Sequence, residues 1–267
     1  MSHTPKVILI TGGSSGLGLA MCSRLAAMGH KVYGTSRKVT TQPTAWTALD
    51  MDVTDEASVK QAVEMVLSRE RRIDVVVNNA GIGIQGAAED TEVVAAQKAF
   101  DTNLFGVHRV CRAVLPAMRS QKSGLVINIS SLAANFGLPY RAFYSATKAA
   151  LNRYSETLRM EVQPFGVLVV VVEPGEFKTN IAGSRLRPEK VREAYEARYT
   201  KAMGILDGEL GCSRDPDELA QLVASIISAA RPRNIYRSAQ GMQKLSVLLK
   251  KLLPGKQFER LVGKHYE

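Results

Sequence analysis

The segment VILITGGSSGLG, residues 7–18, decides the fold of this chain. Four apolar residues, typical of a buried strand, run directly into a glycine-rich turn, and a helical pattern follows from about residue 16. Glycine lets the backbone approach a ligand, and the free N–H groups that begin a helix favour a phosphate. The segment therefore predicts a pyrophosphate-binding turn, although its GxxxGxG spacing differs from the usual GxGxxG. The residues expected at the phosphates are Gly12, Ser14, Ser15, Gly16, Leu17 and Gly18.

Short apolar runs alternate with longer helical segments along the rest of the chain. Strands are predicted at 7–10, 31–36, 47–52, 74–78, 124–130 and 167–172, and helices near 16–28, 55–70, 92–120, 144–163 and 215–230. Strands that are almost wholly apolar need cover on both faces, which is typical of a parallel sheet between two layers of helices. We expect an α/β fold with a doubly wound, mostly parallel sheet of the Rossmann type, in a single domain over residues 5–230.

The positive charge is concentrated at the C-terminal end. The net charge is +10, and residues 231–267 hold nine Lys or Arg against two Glu, which gives +7 there and leaves +3 for the preceding residues. This distribution argues against a chain-wide nucleic-acid surface and predicts a basic amphipathic extension over 231–267. The extension has leucines at helical spacing between lysines. It either contacts an anionic membrane surface peripherally or packs on its own domain or on a partner subunit.

Cysteine and histidine are sparse. Cys22, Cys111 and Cys212 are too widely separated for a disulfide framework or a metal-binding spacing, and the histidines are scattered singly. No metal site is predicted. The first residues lack the apolar run of a signal peptide, and residues 7–10 are far too few to span a membrane. A cytoplasmic location is therefore expected.

The end of the second predicted strand bears on the choice of dinucleotide. An acidic residue there would hold the ribose hydroxyls of NAD(H), but this chain has Ser36, Arg37 and Lys38. The two cations would attract a 2′-phosphate, so they predict NADP(H) as the cofactor. The alternative is that Arg37 and Lys38 are ordinary solvated loop charges.

Further motifs follow in order along the chain. They are Asp52-Val53, NNAG at 78–81, Asn103 within FDTNLFG, Ser130-Ser131, YSATK at 144–148, and Pro174-Gly175 with Thr179. In this series the chain resembles the short-chain dehydrogenase/reductase family over roughly residues 5–230. Its C-terminal leucine and lysine pattern resembles the hydroxysteroid and retinol dehydrogenase branch of that family.

The resemblance implies a cofactor cleft. Asp52 would accept a hydrogen bond from the adenine amino group, with Val53 beside the ring. Asn78 and Gly81 would line this cleft, with Asn78 steadying the end of the sheet, and Thr179 would bind the nicotinamide carboxamide. The other residues implied to contact the cofactor are Asn79, Ala80, Gly81, Pro174 and Gly175, together with Tyr144 and Lys148.

Tyr144 and Lys148 are four residues apart, which places them on one helix face with Cβ atoms about 5–6 Å apart. Hydride reduction of a ketone puts negative charge on the oxygen, which needs a proton, and a free tyrosine with a pKa near 10 is a poor match for neutral pH. Lys148, with the positive nicotinamide, would lower the pKa of Tyr144. The resemblance further implies that Ser131 holds the substrate oxygen and that Asn103 anchors a water that passes protons to Lys148.

Substrate choice is expected to rest with residues 133–141 and 177–211. The second segment favours an amphipathic lid over an apolar pocket, or packing on the core, through Ile181, Leu186, Tyr195, Tyr199, Met203, Ile205 and Leu206. We expect NADP(H)-dependent interconversion of a hydrophobic (steroid-, retinoid- or lipid-like) ketone or aldehyde and its alcohol. The alternatives are a 3-oxoacyl thioester reductase that receives an acidic carrier protein and a catalytically silent NADP(H) sensor. The resemblance also implies a homodimer or homotetramer, with the helices near 92–120 and 144–163 between subunits.

Overall fold

A seven-stranded parallel sheet forms the centre of the molecule. The computed structural model describes residues 4–39, 45–178, 185–211 and 214–266. The strands are β1 Val7–Ile10, β2 Lys31–Ser36, β3 Thr47–Asp50, β4 Val75–Asn78, β5 Gly124–Ile129, β6 Val167–Pro174 and β7 Ile235–Ser238. They pair in the order β3-β2-β1-β4-β5-β6-β7, and every neighbouring pair is parallel. The predicted doubly wound Rossmann fold is confirmed.

Helices cover both faces of the sheet. They are α1 Gly16–Ala27, α2 Glu56–Glu70, α3 Val93–Phe100, α4 Gly106–Gln121, α5 Ala142–Val162, α6 Glu193–Gly211, α7 Pro216–Ser228, α8 Gly241–Leu252 and α9 Gly255–Tyr266. Short 3₁₀ turns occur at Ala88–Asp90, Leu132–Ala134 and Gln163–Phe165. The single helix predicted near 92–120 is α3 and α4, which are joined by a π-helical turn, Asp101–Phe105.

Successive residues of β1 enter the two halves of the core. Val7 and Leu9 pack in the cluster that includes α2, α4 and α5, whereas Ile8 and Ile10 pack with α1 and α7. All four side chains are at most 3% exposed. A strand that is apolar at every position is therefore explained by the helices on both faces of the sheet.

The sheet extends beyond the boundary that the charge distribution predicts. Residues 231–267 are predicted to be an extension, but Ile235–Ser238 form β7, which pairs with the end of β6. This edge strand has no apolar run that would reveal it. Ile235 is exposed, and Arg237 donates a hydrogen bond to the buried Glu173 at 2.8 Å. The C-terminal helical segment therefore begins after β7.

The last two helices pack on the domain through one face. Val247 of α8 packs in a cluster with Leu132, and Phe258 of α9 meets the ring of Phe136 edge to face, with centroids 5.1 Å apart. Tyr266 packs with α6. Val247, Phe258 and Tyr266 are at most 7% exposed. Packing on its own domain, one of the predicted alternatives for this segment, is thus found for one face of the helix pair.

Candidate active site

A cleft of about 820 Å³ opens at the carboxyl ends of the strands. It lies where β1 and β4 are neighbours and the chain turns away in opposite directions, the usual ligand position in such sheets. Most of the predicted site residues line it: Gly12, Ser14, Ser15, Gly16, Leu17, Ser36, Arg37, Asp52, Val53, Asn79, Ala80, Gly81, Ser131, Tyr144, Lys148, Pro174 and Gly175. Gly18, Lys38 and Asn103 do not line it. Thr179 lies outside the described residues.

The glycine turn is held against the end of β4. Gly12 has a φ of +67°, and a Cβ there would lie 3.1 Å from Ala80 Cα. A Cβ at Gly18 would lie only 2.0 Å from the carbonyl oxygen of Gly12. Thr11 Oγ1 accepts hydrogen bonds from the backbone N–H groups of Asn79 at 2.9 Å and Ala80 at 2.8 Å. Gly18 is therefore needed to shape the turn, although it does not reach the cleft.

The start of α1 fits the phosphates of a dinucleotide. Ser15 is the N-cap residue, and its side chain makes no capping hydrogen bond among the described residues. Gly16 and Leu17 line the cleft, and the first turn carries no acidic side chain. The first N–H groups of this helix and its positive dipole end are therefore available to an anion. Together with the close glycine contacts, they make a cradle for a pyrophosphate.

The two predicted cations at the adenosine end have different positions. Arg37 lines the cleft near Asp52. Burial tends to raise the pKa of Asp52, but hydrogen bonds from Thr54 and the charges of Arg37 and Arg109 hold it below its ordinary value. Lys38 is exposed and does not line the cleft. Arg37 therefore lies on the wall of the cleft beside Asp52, and Lys38 does not.

Tyr144 and Lys148 lie in the first two turns of α5 and share one wall of the cleft. Lys148 Nζ is 6.0 Å from the centroid of the Tyr144 ring and donates a hydrogen bond to the carbonyl oxygen of Ile129 at 2.9 Å. Ser131, just after β5, lies close enough to the phenol to favour its ionised form and lower its pKa. Ser130 is 2% exposed, and its hydroxyl donates to the carbonyl oxygen of Lys148 at 3.3 Å. The geometry thus supports Ser131 over Ser130 as the serine beside the phenol.

The ionisation of the Tyr144–Lys148 pair differs from the prediction. Burial raises the pKa of Tyr144 above its ordinary value of 10, although Ser131 acts in the other direction. Burial also lowers the pKa of Lys148 to about 8. The prediction that Lys148 lowers the pKa of Tyr144 is wrong for the protein alone. The cost of burying the phenolate outweighs the favourable interactions around it.

Asn103 lies in the π-helical turn between α3 and α4 and is 1% exposed. Its Oδ1 accepts a hydrogen bond from Ile82 N at 2.8 Å, and its Nδ2 donates to Ile82 O at 2.9 Å and to Thr147 Oγ1 at 3.2 Å. A Cβ at Gly81 would lie 3.1 Å from Asn103 Oδ1 and 3.7 Å from Lys148 Nζ. Asn103 therefore fixes the cleft backbone beside the lysine, and its role as the anchor of a water stays a prediction.

Buried polar side chains connect the strand ends below the cleft. Asn78 Nδ2 donates to Asn128 Oδ1, and Asn128 Nδ2 donates to Ser155 Oγ, both at 2.8 Å. This chain of bonds links β4, β5 and α5, in agreement with the predicted role of Asn78 at the sheet end. The prediction that Asn78 lines the cleft is wrong, because its side chain is buried in this chain of bonds. Gly175 N donates to Ser238 O at 2.9 Å, so the turn after β6 is held by the end of β7.

At its substrate end the cleft contains charged residues to which the motifs assign no role. Arg141 Nη1 donates to Glu176 Oε1 at 3.0 Å, and Arg185 Nη2 lies 3.8 Å from Glu176 Oε2. All three residues line the cleft. Arg141 and Arg185 lie within the segments 133–141 and 177–211 to which the sequence assigns substrate choice, and Arg141 also stands three residues before Tyr144 at the start of the helix. Nothing in the local pattern marks Arg185.

The predicted apolar lid faces the cleft only in part. Of its seven apolar residues, Leu186 lines the cleft. Three others pack with Leu138 and the C-terminal Tyr266 instead: Tyr199, Met203 and Leu206. Packing on the core, the predicted alternative, is therefore right for this side of α6. Ile181 lies outside the described residues.

The four described ranges hold neither a metal-binding cluster nor a membrane-spanning helix. No group of three or more His, Cys, Asp or Glu side chains there could hold a metal ion. No helix there is long and apolar enough to cross a membrane.

The cleft joins a cradle for a dinucleotide to a phenol, a hydroxyl and an ammonium that can hold and protonate a carbonyl oxygen. This combination is characteristic of an oxidoreductase that uses a nicotinamide dinucleotide. The chain also matches the family model described as short chain dehydrogenase over residues 6–190, more than half of its length. It therefore belongs to the short chain dehydrogenase family.

Similar proteins cover most of the chain. A 3-ketodihydrosphingosine reductase from Bacteroides thetaiotaomicron is 41% identical over 85% of this chain and 86% of its own. Human retinol dehydrogenase 8 is 31% identical over 87% of this chain and 81% of its own. The crystal structure of a short-chain dehydrogenase from Streptomyces avermitilis is 36% identical, with a TM-score of 0.83 over 94% of both chains.

Proposed function

We propose that this oxidoreductase uses NADP(H) to interconvert a hydrophobic, lipid-like ketone or aldehyde and its alcohol. The observation that carries the proposal is the meeting of Ser131, Tyr144 and Lys148 at one wall of the cleft that begins at the glycine turn. NADPH, when bound, supplies the hydride. Because all three polar groups are present together, the arrangement argues against a catalytically silent sensor.

The three side chains divide the handling of the carbonyl oxygen and the proton. Ser131 donates a hydrogen bond to the carbonyl oxygen, and Tyr144 gives its phenolic proton to that oxygen as negative charge develops. The raised pKa of Tyr144 keeps the phenol protonated at neutral pH, as reduction requires. Lys148 has its pKa lowered to about 8, so it exchanges a proton near neutral pH and can resupply the phenol.

The choice of NADP(H) over NAD(H) is supported by Arg37. Its position at the end of β2, on the wall of the cleft, is where a carboxylate would otherwise meet the ribose hydroxyls. A guanidinium there forms a charge-assisted pair with a 2′-phosphate, which is stronger than its hydrogen bond to the 2′-hydroxyl of NAD(H).

A substrate with a long hydrocarbon part is supported by the lining of the cleft and by the relatives. Ile84, Phe177 and Leu186 provide apolar surface at the substrate end. The relatives are named for 3-ketodihydrosphingosine and for retinol, both of which carry long apolar chains. A 3-oxoacyl thioester, the alternative substrate, would fit the same apolar wall, so the assay below includes one.

We further propose that the outer face of α8 contacts an anionic lipid surface. Leu245, Leu248 and Leu252 recur at helical spacing and are 41%, 51% and 69% exposed. Lys244 and Lys251 lie on the same side of the helix. Leucines that enter the interface and lysines that meet lipid phosphates are the two contributions such binding needs. This surface would bring a lipid-like substrate and the cleft together without a membrane span.

The proposed homodimer or homotetramer is supported by exposed apolar residues on α4, α5 and their ends. Phe105, Met160 and Phe165 are 51%, 66% and 43% exposed. Ala146 and Ala149 of α5 are also exposed, which would allow the close helix approach that we expect between subunits. Exposed large apolar side chains on neighbouring helices are typical of a protein–protein interface.

The proposed function is tested by NADPH oxidation with 3-ketodihydrosphingosine, retinal and acetoacetyl thioesters. Tyr144→Phe should reduce turnover of the accepted substrate by roughly 10²–10⁴-fold and leave NADPH affinity close to that of the wild type. Tyr33→Phe is the matched control, because Tyr33 loses the same hydroxyl far from the cleft, where it bonds Glu70. If Tyr144→Phe keeps more than about a tenth of wild-type turnover while chemistry limits the rate, Tyr144 is not the proton donor.

A further inference from the structure

We infer that Arg141 is a specificity-determining residue that binds a second oxygen of the substrate, close to the carbonyl that is reduced. This inference rests on the proposed function, because it assigns a substrate class to the same cleft. Ketones with a hydroxyl or carboxyl oxygen two carbons from the carbonyl carbon have this chemistry.

The guanidinium of Arg141 is only partly satisfied by the protein. Arg141 is 7% exposed and lines the cleft. Its Nη1 donates to Glu176 at 3.0 Å, whereas its Nη2 has no hydrogen-bond partner among the described residues. A buried charged donor without an acceptor is unfavourable and calls for a specific explanation. An oxygen of a molecule bound in the cleft would provide the missing acceptor.

A second partly satisfied side chain lies on the neighbouring segment. Gln85 is 3% exposed and lines the cleft, and its Oε1 also lacks a partner among the described residues. The two segments are joined by a hydrogen bond from Gly86 N to Tyr140 O at 2.9 Å. Two adjacent segments therefore each present a buried polar group to the same end of the cleft, and an amide can donate to or accept from a substrate oxygen.

Arg141 is also close to the reacting position. It is the N-cap residue of α5, three residues before Tyr144, and residues at this spacing have Cβ atoms about 5–6 Å apart. Each residue acts electrostatically on the other. Two oxygens joined by three carbons can span such a distance, with one oxygen at the phenol and the other at the guanidinium.

The charges around Arg141 favour an oxygen over an amine. Arg141, Arg185 and Glu176 sum to one positive charge, which favours a carboxylate or a hydroxyl oxygen and disfavours an ammonium group. Glu176 is bonded to Arg141 and acts as a positioning residue that directs the guanidinium. The same cleft thus combines an apolar wall with one polar contact next to the reacting carbonyl.

The experiment compares three ketones of equal chain length with NADPH: dodecan-3-one, 1-hydroxydodecan-3-one and 3-oxododecanoate. The wild type should prefer at least one of the oxygenated ketones over dodecan-3-one by about tenfold or more in kcat/KM, the effect of one charge-assisted hydrogen bond. Preference for the hydroxy ketone identifies a neutral oxygen, and preference for the acid identifies an anion. Arg141→Met should bring the ratio close to one, mainly through KM, and Arg141→Lys should give an intermediate ratio.

The control is Arg159→Met, which removes a partly buried arginine that bonds Val169 O outside the cleft and should keep the wild-type ratio. Titration of 3-oxododecanoate and dodecan-3-one into enzyme loaded with NADP⁺ measures binding without turnover. Equal kcat/KM values of the wild type for all three ketones would overturn the inference. A preference that survives in both Arg141 variants would do the same. If no ketone is reduced, the proposed function fails, and the titration alone decides the role of Arg141.

Discussion

Replacing Lys148 by methionine should change how stability depends on pH. Lys148 is 6% exposed, and burial lowers its pKa from 10.5 to about 8. Between these two pH values the unfolded chain holds the lysine proton and the folded chain does not. Because of Lys148, the free energy of unfolding of the protein therefore rises as the pH rises through this interval. At 1.36 kcal/mol per pH unit, the interval from 8 to 10.5 corresponds to about 3 kcal/mol.

The assay is urea unfolding of the wild type and Lys148→Met at a series of pH values from 7 to 10.5. The methionine variant lacks the buried charge, so the wild type should gain about 3 kcal/mol relative to it across the series. Lys60→Met, on the exposed face of α2, is the matched control for the loss of one lysine. A difference between wild type and Lys148→Met that stays constant over the whole range would refute the conclusion that burial lowers the pKa of Lys148.

Three further outcomes test the cofactor, the lipid surface and the assembly. In fluorescence titrations Arg37→Asp should weaken NADPH binding by about 10–100-fold and improve NADH binding, with a smaller effect for the exposed Lys38→Asp. Equal wild-type affinities for NADPH and NADH would contradict the role of Arg37. Leu248→Glu should reduce cosedimentation with phosphatidylglycerol vesicles by about tenfold or more, and Leu168→Glu, on another surface, should not. An equal loss of vesicle cosedimentation in Leu248→Glu and Leu168→Glu would exclude the outer face of α8 as the lipid-binding surface. Met160→Asp should shift sedimentation toward the monomer, and a monomeric wild type at micromolar concentration would end the assembly proposal.

The parallel sheet and its two helix layers could be predicted from local pattern because the central strands are almost wholly apolar, whereas the strand order was not predicted. The runs at 7–10 and 75–78 are buried throughout, so their composition alone required helices on both faces. The edge strand β7 could not be found in the same way. Its exposed Ile235 and its Arg237 are stabilised by contacts with β6 that a single segment does not reveal. Tertiary pairing, and not propensity, forms this strand.

The cofactor side of the site was predictable because its residues sit at fixed positions of turns and helix ends. On the substrate side the segments 133–141 and 177–211 were predicted, but the polar side chains that reach the cleft were not, because their positions depend on pairing between distant segments. Leu186 N donates to Gly83 O at 2.9 Å, which brings Arg185 to the cleft from a remote part of the chain. The direction of the pKa shift of Tyr144 could not be predicted from the YSATK motif either. The net shift in its pKa depends on how much of the phenol is buried, which spacing alone does not give.

The π-helical turn at Asp101–Phe105 has a consequence for the length of the chain. A π turn holds one residue more than the α-helical turn it replaces, so α3 and α4 together contain a single-residue insertion. Deleting one residue there would convert the turn to regular α-helix and rotate Asn103 by about 100° relative to one of its flanking helices. The backbone would gain regular hydrogen bonds, while Ile82 would lose both of its bonds to Asn103. The helix pair therefore keeps a less regular backbone in exchange for the correct angular position of one amide.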